Sequence, residues 1–363
     1  MINVTKPFLP PQEEYIDFLN GIWSRNWLTN NGPLVRELEL KLKEYLGVPE
    51  MLYLNNGTIA IQIAIKALSL KGEIITTPFS YVATTSSIVW EGCRPVFVDI
   101  DANTFNIDPA KIEAAITPET TGILATHVFG NPCDIDAIQE IATKHNLKVI
   151  YDAAHCFGTE YKGRSIYHYG DISTTSFHAT KLFHTIEGGG VFTSDLELLK
   201  RMSYYRNFGH KTPEEFEMVG INAKNSEFHA AMGLSVLPHM SSILERRKKV
   251  SQLYSSLLKD NEIRTQKITS NSSYNYSYYP IVVDSQEVML DVVNALNKKD
   301  IFPRRYFFPS LDTLNYVEGQ HCPISRDLSS RIICLPLFYD LKESEAEYVA
   351  KIINEIVRPN YLL

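Results

Sequence analysis

The 363-residue chain carries 35 basic against 42 acidic side chains, a net charge of −7, which excludes a nucleic-acid surface built on basic excess. With 44% hydrophobic and 21% charged residues it has the composition of an ordered globular protein, and its length suits two domains. No apolar run approaches the roughly 20 residues that span a bilayer, and residues 1–7 lack the basic start and apolar run of a signal peptide, so we expect a cytoplasmic protein that touches neither membrane nor nucleic acid.

In chain order, the strand-like run Met51–Leu54 leads into Asn55-Asn56-Gly57-Thr58-Ile59-Ala60 and a helical pattern over 60–68. Glycine, a hydroxyl and a helix N-terminus together form an anion site, because unpaired amides and the helix dipole both favour a phosphate; capping of the helix by Thr58 explains the same letters. Residues 74–77 read as a buried strand, followed by Pro78-Phe79-Ser80-Tyr81-Val82-Ala83-Thr84, whose aromatic either stacks on a flat ligand or packs in the core. A strand over 95–98 comes next, and Asp108 before Pro109 marks the N-cap of a helix over 109–116. A strand over 122–125, a helix over 135–145 and a strand over 148–151 continue the alternation expected of an α/β sheet with helical crossovers.

Asp152 follows that last strand within Tyr151-Asp152-Ala153-Ala154-His155, at the carboxyl end where α/β sheets place ligands. It either caps the next turn or pairs with a cationic ligand atom; the ring nitrogen of pyridoxal phosphate is one that such a carboxylate keeps protonated. Ser176-Phe177-His178-Ala179-Thr180-Lys181 then sets a lysine between a hydroxyl-rich stretch and the cluster Glu187-Gly188-Gly189-Gly190-Val191. A loop lysine there can carry its amine to a carbonyl while hydroxyls and amides hold a phosphate; a surface lysine is the plain alternative. Five scattered cysteines (Cys93, Cys133, Cys156, Cys322, Cys334) lack Cys-x-x-Cys spacing and read as reduced thiols, and no metal site is expected.

Near residue 235 a run of small residues gives way to a charged amphipathic helix over 243–258. We place a domain junction there, with a large domain over 1–238 and a smaller α+β domain over 239–363 that holds a strand at 279–283 and a helix at 288–299. Residues 246–249 read as a solvated helix face and residues 270–278 as a surface loop.

Taken in order, Asn56-Gly57-Thr58, residues 78–84, Val98-Asp99 with Asn106-Ile107-Asp108, His127-Val128-Phe129-Gly130, Asp152-Ala153-Ala154-His155, residues 176–181 and Glu187-Gly188-Gly189 resemble the motifs of the DegT/DnrJ/EryC1/StrS sugar aminotransferases. The likeness continues through Gly220-Ile221-Asn222 with Ser226-Glu227-Phe228 to Leu335-Pro336-Leu337-Phe338, almost the whole chain. It implies an α/β fold of aminotransferase fold-type I, a mostly parallel seven-stranded sheet in the large domain and an α+β C-terminal domain. It also implies pyridoxal 5'-phosphate as cofactor, with pyridoxamine phosphate as its alternate form. In the implied site Lys181 bonds the cofactor and moves protons, Asp152 binds its ring nitrogen and His155 faces the ring near its oxygen. Gly57, Thr58 and Ser176 hold the phosphate, and Tyr81 lies against the ring. Asn222 reaches the phosphate in a neighbouring subunit, so the resemblance implies a homodimer with shared active sites. His155 stands where many members carry glutamine, a variant associated with amination at C-4, and Lys224 stands where arginine is common.

The implied reaction moves an amino group from L-glutamate to a nucleotide-linked keto sugar. Within the family the chain is most similar to the group that converts dTDP-4-keto-6-deoxy-D-glucose to dTDP-4-amino-4,6-dideoxy-D-glucose, for which a bacterial surface glycan such as the O-antigen of lipopolysaccharide is the expected destination. Amination at C-3, or a GDP- or UDP-linked sugar, is the alternative within the same chemistry. Trp27, Thr29 and Asn30 near the N-terminus, with Arg305 and Tyr306 in the C-terminal domain, combine aromatics, amides and a planar cation in a way that suits a nucleotide sugar, although structural packing explains the aromatics equally well. A sugar dehydratase of the same fold carries histidine in place of Lys181, and a non-catalytic regulator would lose part of the Asp152, Lys181 and Thr58 set. This chain keeps all three.

Overall fold

The computed structural model describes residues 1–258, 263–318 and 320–357. Its central sheet contains β1 (Met51–Leu54), β2 (Glu73–Thr76), β3 (Arg94–Phe97), β4 (Thr120–Thr126), β5 (Lys148–Asp152), β6 (Ile172–Ser176) and β7 (Gly189–Phe192). The strand order is β1-β7-β6-β5-β4-β2-β3. β7 runs antiparallel to both its neighbours, and the other pairs are parallel.

Strand residues alternate between two apolar layers. Ile75, Ile123, Val149 and Tyr151 pack with Leu38, Leu42 and Ile138 on one side, while Ile74, Leu124, Ile150 and Val191 pack with Ile61, Ile65 and Met202 on the other. The two-residue period of side-chain direction produces this division, and burial of both faces is why short apolar runs mark strands such as β1 and β5, whereas β6 (Ile-Ser-Thr-Thr-Ser) is rich in hydroxyls. The layers are supplied by α1 (Gln12–Arg25), α2 (Pro33–Leu46), α3 (Gly57–Ala67), α4 (Val82–Trp90), α5 (Ile135–His145), α6 (Leu196–Arg206) and α7 (Glu227–Val236).

The long helix α8 (Met240–Leu258) serves two cores: Met240 and Ile243 pack with the large sheet, Val250, Tyr254 and Leu258 with the C-terminal elements. Those elements are the antiparallel strands β8 (Arg264–Thr265), β9 (Tyr279–Val282) and β10 (Ile332–Leu335), with α9 (Gln286–Asn297), α10 (Pro323–Arg331) and α11 (Glu343–Val357). At the other end of the chain, Ile2–Asn3 pairs in parallel with Ile301–Phe302, so the first residues join the C-terminal part.

Three local expectations are corrected. Residues 109–116 form two short 3-10 turns, Pro109–Lys111 and Glu113–Ala115, instead of an α-helix, although Asp108 does cap the first by accepting from Ala110 N at 3.1 Å. The chain leaves the helical region at Ile116, whose backbone is extended (ψ 129°). Within residues 246–249, Arg247 is not solvated but buried, and its guanidinium donates to Tyr276 O at 3.0 Å and to Ser277 O. Residues 270–278 are not simply a surface loop, because Asn275, Ser277 and Tyr278 are buried behind the site described next.

Candidate active site

Parallel strands bring their carboxyl ends to one edge of a sheet, and the residues at those ends converge here. Asn56 and Gly57 after β1, Ser80 and Tyr81 after β2, Thr126 of β4, Asp152 of β5 and Ser176 of β6 line a cavity of about 240 Å³. His178, Thr180, Lys181 and Glu187, between β6 and β7, form its rim, and Arg304, Tyr306 and Phe307 of the C-terminal part close the far wall.

Asn56, rather than Thr58, caps α3: its backbone is extended and its Oδ1 accepts from Ile59 N at 2.8 Å. Asn56 O takes the Ala60 amide at 3.2 Å. The Gly57 and Thr58 amides therefore stand at the open, positive end of the helix, on the cavity wall. Close packing behind this turn requires glycine, since a Cβ on Gly189 would lie 2.4 Å from the Asn56 carbonyl carbon. Gly189 thus lets β7 pass close against the turn that opens α3, a packing role.

Asp152 caps the turn that follows it, its Oδ1 accepting from Ala154 N at 3.2 Å, and its Oδ2 accepts from Thr84 Oγ1 at 2.7 Å, which leaves it also facing the cavity. Burial raises its pKa, opposed by those two hydrogen bonds and by the charge of Lys181. Lys181 is pushed the other way, from 10.5 to about 8, mainly by burial and partly by the charge of Arg304, with Asp152 opposing. Its amine has neither hydrogen bond nor ion pair among the described residues.

The His155 ring lies parallel to Phe307 (centroids 5.9 Å, 5°) and against Tyr278 (4.8 Å). Behind it, His155 O accepts from Asn275 Nδ2 at 2.8 Å and from Ser277 Oγ at 2.5 Å. Burial, then the charge of Lys181, holds the imidazole pKa well below its usual value, and Nδ1 has no hydrogen-bond partner.

Gly57, Thr58, Tyr81, Asp152, His155, Ser176, Lys181 and Tyr306 are therefore brought together around one cavity. Trp27, Thr29, Asn30, Asn222 and Arg305 line other surfaces of this chain. Trp27 Nε1 donates to Thr29 O at 2.6 Å beneath Arg36, and Asn30 sits in the left-handed region at φ 61°. Asn222 is exposed and pairs with Asn207 in an isolated antiparallel bridge, while Lys224 Nζ donates to Asn207 Oδ1 at 2.7 Å. Arg305 lies 3.5 Å from the Phe308 ring centroid and donates to Ser330 O, so its neighbour Arg304 takes the place on the cavity wall that the sequence suggested for Arg305. Sequence reasoning also passed over Thr84 and the Asn275-to-Ser277 segment. For neither did the letters carry a signal, since Ser80 and Thr84 meet across the turn that enters α4 and Asn275 and Ser277 meet His155 across more than a hundred residues.

The profile of the DegT/DnrJ/EryC1/StrS aminotransferase family matches residues 11–354. The chain belongs to this family. The aminotransferase is 45% identical over 362 residues to dTDP-4-amino-4,6-dideoxy-D-glucose transaminase of Shigella dysenteriae, covering 98% of this chain and 99% of the relative. It is 40% identical over 368 residues to the Escherichia coli protein of the same name, covering 97% and 98%. Among solved structures it superposes with a TM-score of 0.93 on DesI in the presence of its TDP-sugar product, at 31% identity over 98% of this chain and 92% of that one.

Proposed function

We propose that this aminotransferase binds pyridoxal 5'-phosphate in the cavity and transfers an amino group from L-glutamate to C-4 of dTDP-4-keto-6-deoxy-D-glucose, forming dTDP-4-amino-4,6-dideoxy-D-glucose. The cofactor assignment is carried by one juxtaposition: an unpaired Lys181 amine, a buried carboxylate and an open helix N-terminus on the wall of the same cavity. The orphaned His155 Nδ1 adds a fourth group that fits such a ligand. The sugar assignment rests on the two transaminases of that name, matched nearly end to end.

When bound, pyridoxal phosphate supplies a carbonyl that exchanges with amines and a ring that withdraws electrons from the carbon beside the nitrogen. The Gly57 and Thr58 amides and the Ser176 hydroxyl would hold its phosphate, and Tyr81 would lie against its ring. Asp152, as the anion, would accept from the ring N–H and favour its protonated form, and that positive neighbour would add to Thr84, Ala154 and Lys181 in opposing the effect of burial. His155, neutral, would offer its unpaired nitrogen to the ring oxygen. Lys181 would accept and return the proton that the reacting carbon of each substrate exchanges. Its lowered pKa suits that task, because an amine that remained at 10.5 would stay charged and accept no proton near neutral pH.

We further propose a cytoplasmic homodimer in which Asn222 serves the partner's cavity. Supporting this, Asn222 is exposed outside its own cavity and is flanked by apolar side chains open to solvent, Val219 at 89% and Ile221 at 43%. We also keep the division into domains at 238/239, at the start of the helix that joins the two cores.

The test is product analysis. Purified protein with pyridoxal phosphate, glutamate and dTDP-4-keto-6-deoxyglucose is expected to release 2-oxoglutarate and a sugar whose NMR spectrum places nitrogen at C-4. A product aminated at C-3, or turnover only with a GDP- or UDP-linked sugar, would overturn the substrate assignment and leave the aminotransferase reading in place.

A further inference from the structure

We infer that Thr126, Ser80 and Thr84 form a one-way chain of hydroxyls that ends on Asp152, holds its carboxylate as the anion and fixes its plane, making Thr84 a positioning residue for the cofactor ring nitrogen. The inference rests on the cofactor reading above for its functional meaning, but the chain itself is a property of this protein's own side chains.

Its direction follows from counting protons. A carboxylate can only accept, so Thr84 Oγ1 donates to Asp152 Oδ2 across 2.7 Å. A hydroxyl has one proton, and with that of Thr84 committed, Ser80 Oγ donates to Thr84 across 2.8 Å. Ser80 can then only accept from its remaining neighbour, so Thr126 Oγ1 donates to Ser80 across 3.0 Å. Three hydroxyl dipoles thus point head to tail at one carboxylate oxygen, an arrangement in which each bond polarises the next.

Burial keeps the chain from trading partners with water. Ser80 is 1% exposed, Thr84 0% and Thr126 4%. The chain also ties four elements together: Ser80 follows β2, Thr84 lies in the first turn of α4, Thr126 ends β4 and Asp152 ends β5. The orientation of the carboxylate is therefore set by two strand ends and the first turn of α4, joined through the buried Ser80.

Few other groups can perform this task. Among the described residues Asp152 takes part in no ion pair within 4.0 Å, and the titratable groups facing it are Lys181, Cys156 and Tyr167. Burial raises the pKa of both the thiol and the phenol, so both are neutral, which leaves Lys181 as the one charge opposing the burial of Asp152. Ala154 N, at 3.2 Å, is the longer of the two hydrogen bonds. Thr84 therefore provides the stronger of the two contacts that keep a buried carboxylate charged.

The test compares Thr84→Val, which has nearly the same shape, with Thr84→Ser and Ser80→Ala. Equilibrium dialysis of each full-length apoprotein against pyridoxal phosphate is expected to show binding weakened about 10-fold or more by Thr84→Val, the loss of one hydrogen bond to a charged acceptor. Thr84→Ser should return affinity to within about 3-fold of the natural protein, and Ser80→Ala should weaken it in the same direction by less. A second readout uses no cofactor: the 13Cγ resonance that disappears in Asp152→Asn identifies this carboxylate, and its titration midpoint should move to higher pH in Thr84→Val and in Ser80→Ala. Unchanged affinity and midpoint in Thr84→Val would overturn the inference; if that variant fails to fold, an unchanged midpoint in Ser80→Ala overturns it instead. Absence of a Lys181-dependent absorbance band in the natural protein would sink the cofactor reading, while the apoprotein titration would still decide the chain.

Discussion

Glu227 offers a sharp test of how the N-terminal segment is held. Its side chain is fully buried, and its two oxygens accept from Leu34 N and Val35 N, each at 3.0 Å, at the start of α2. Gly32, the N-cap of α2, supplies no side-chain cap, and a Cβ there would lie 2.6 Å from the Glu227 carboxyl carbon. Glu227 thus caps a helix almost two hundred residues earlier in the chain, and its own amide donates to Leu28 O at 2.9 Å, pinning the loop that holds Trp27, Thr29 and Asn30. Arg25, at 3.8 Å and partly exposed, adds a weaker charge contact. Two hydrogen bonds to a charged acceptor are together worth about 3–6 kcal/mol, and removing the carboxylate also relieves its desolvation, so Glu227→Ala should lose about 3–5 kcal/mol locally. Glu227→Gln retains one acceptor oxygen and should lose about 1–2 kcal/mol. Hydrogen exchange at Leu34 and Val35 reads this directly: the alanine variant should exchange at least about 100-fold faster at both amides, the glutamine variant about 10-fold. Exchange at Leu34 and Val35 unchanged within about 3-fold in Glu227→Ala would refute the capping role.

Three further outcomes follow from the site. Reaction of the apoprotein's Lys181 with an aldehyde requires the neutral amine, so its rate should climb with pH and level off above about 8; a rate still climbing well above pH 9 would mean an unperturbed lysine. His127 and His155 are both neutral in the fold, with His127 lowered from 6.5 to about 3 and His155 lowered well below 6.5, both by burial. The unfolded chain therefore binds more protons than the folded one below about pH 6.5, and stability falls as pH drops, by up to about 1.4 kcal/mol per pH unit for each ring. Urea denaturation at pH 7 and pH 5 measures this, and equal stability at both would contradict the neutral assignment. Asn275→Ala should destabilise the protein by about 2–4 kcal/mol, since it leaves Phe157 O without its 3.0 Å donor and Ser277 N without its acceptor and reduces His155 O to the single donor Ser277 Oγ; a loss below about 1 kcal/mol would show that water replaces the amide.

Much of the fold was legible because it rests on local patterns. The apolar runs of β1 to β5 leave short signatures that the hydroxyl-rich β6 and glycine-rich β7 lack, the Asp108 cap is real although it opens a 3-10 turn, and Asp152, Ser176 and Lys181 sit at strand ends or in the loop beyond, where the topology places ligands. What was missed depends on contacts distant in sequence. Arg247 belongs to a charged run, yet one turn of helix buries it against carbonyls thirty residues away. Residues 270–278 look polar enough for a surface, but Asn275 and Ser277 spend that polarity on the backbone of His155. Arg304 and Arg305 are alike as letters, and only the course of the backbone decides which faces the cavity.

The decisive measurement is to reduce the cofactor-loaded protein with borohydride and locate the modification by peptide mass mapping. The cavity geometry requires the cofactor mass on the peptide carrying Lys181, at one per chain, and none in Lys181→Ala. Attachment at another lysine, or none in the natural protein, would contradict the assignment of this cavity as the cofactor site.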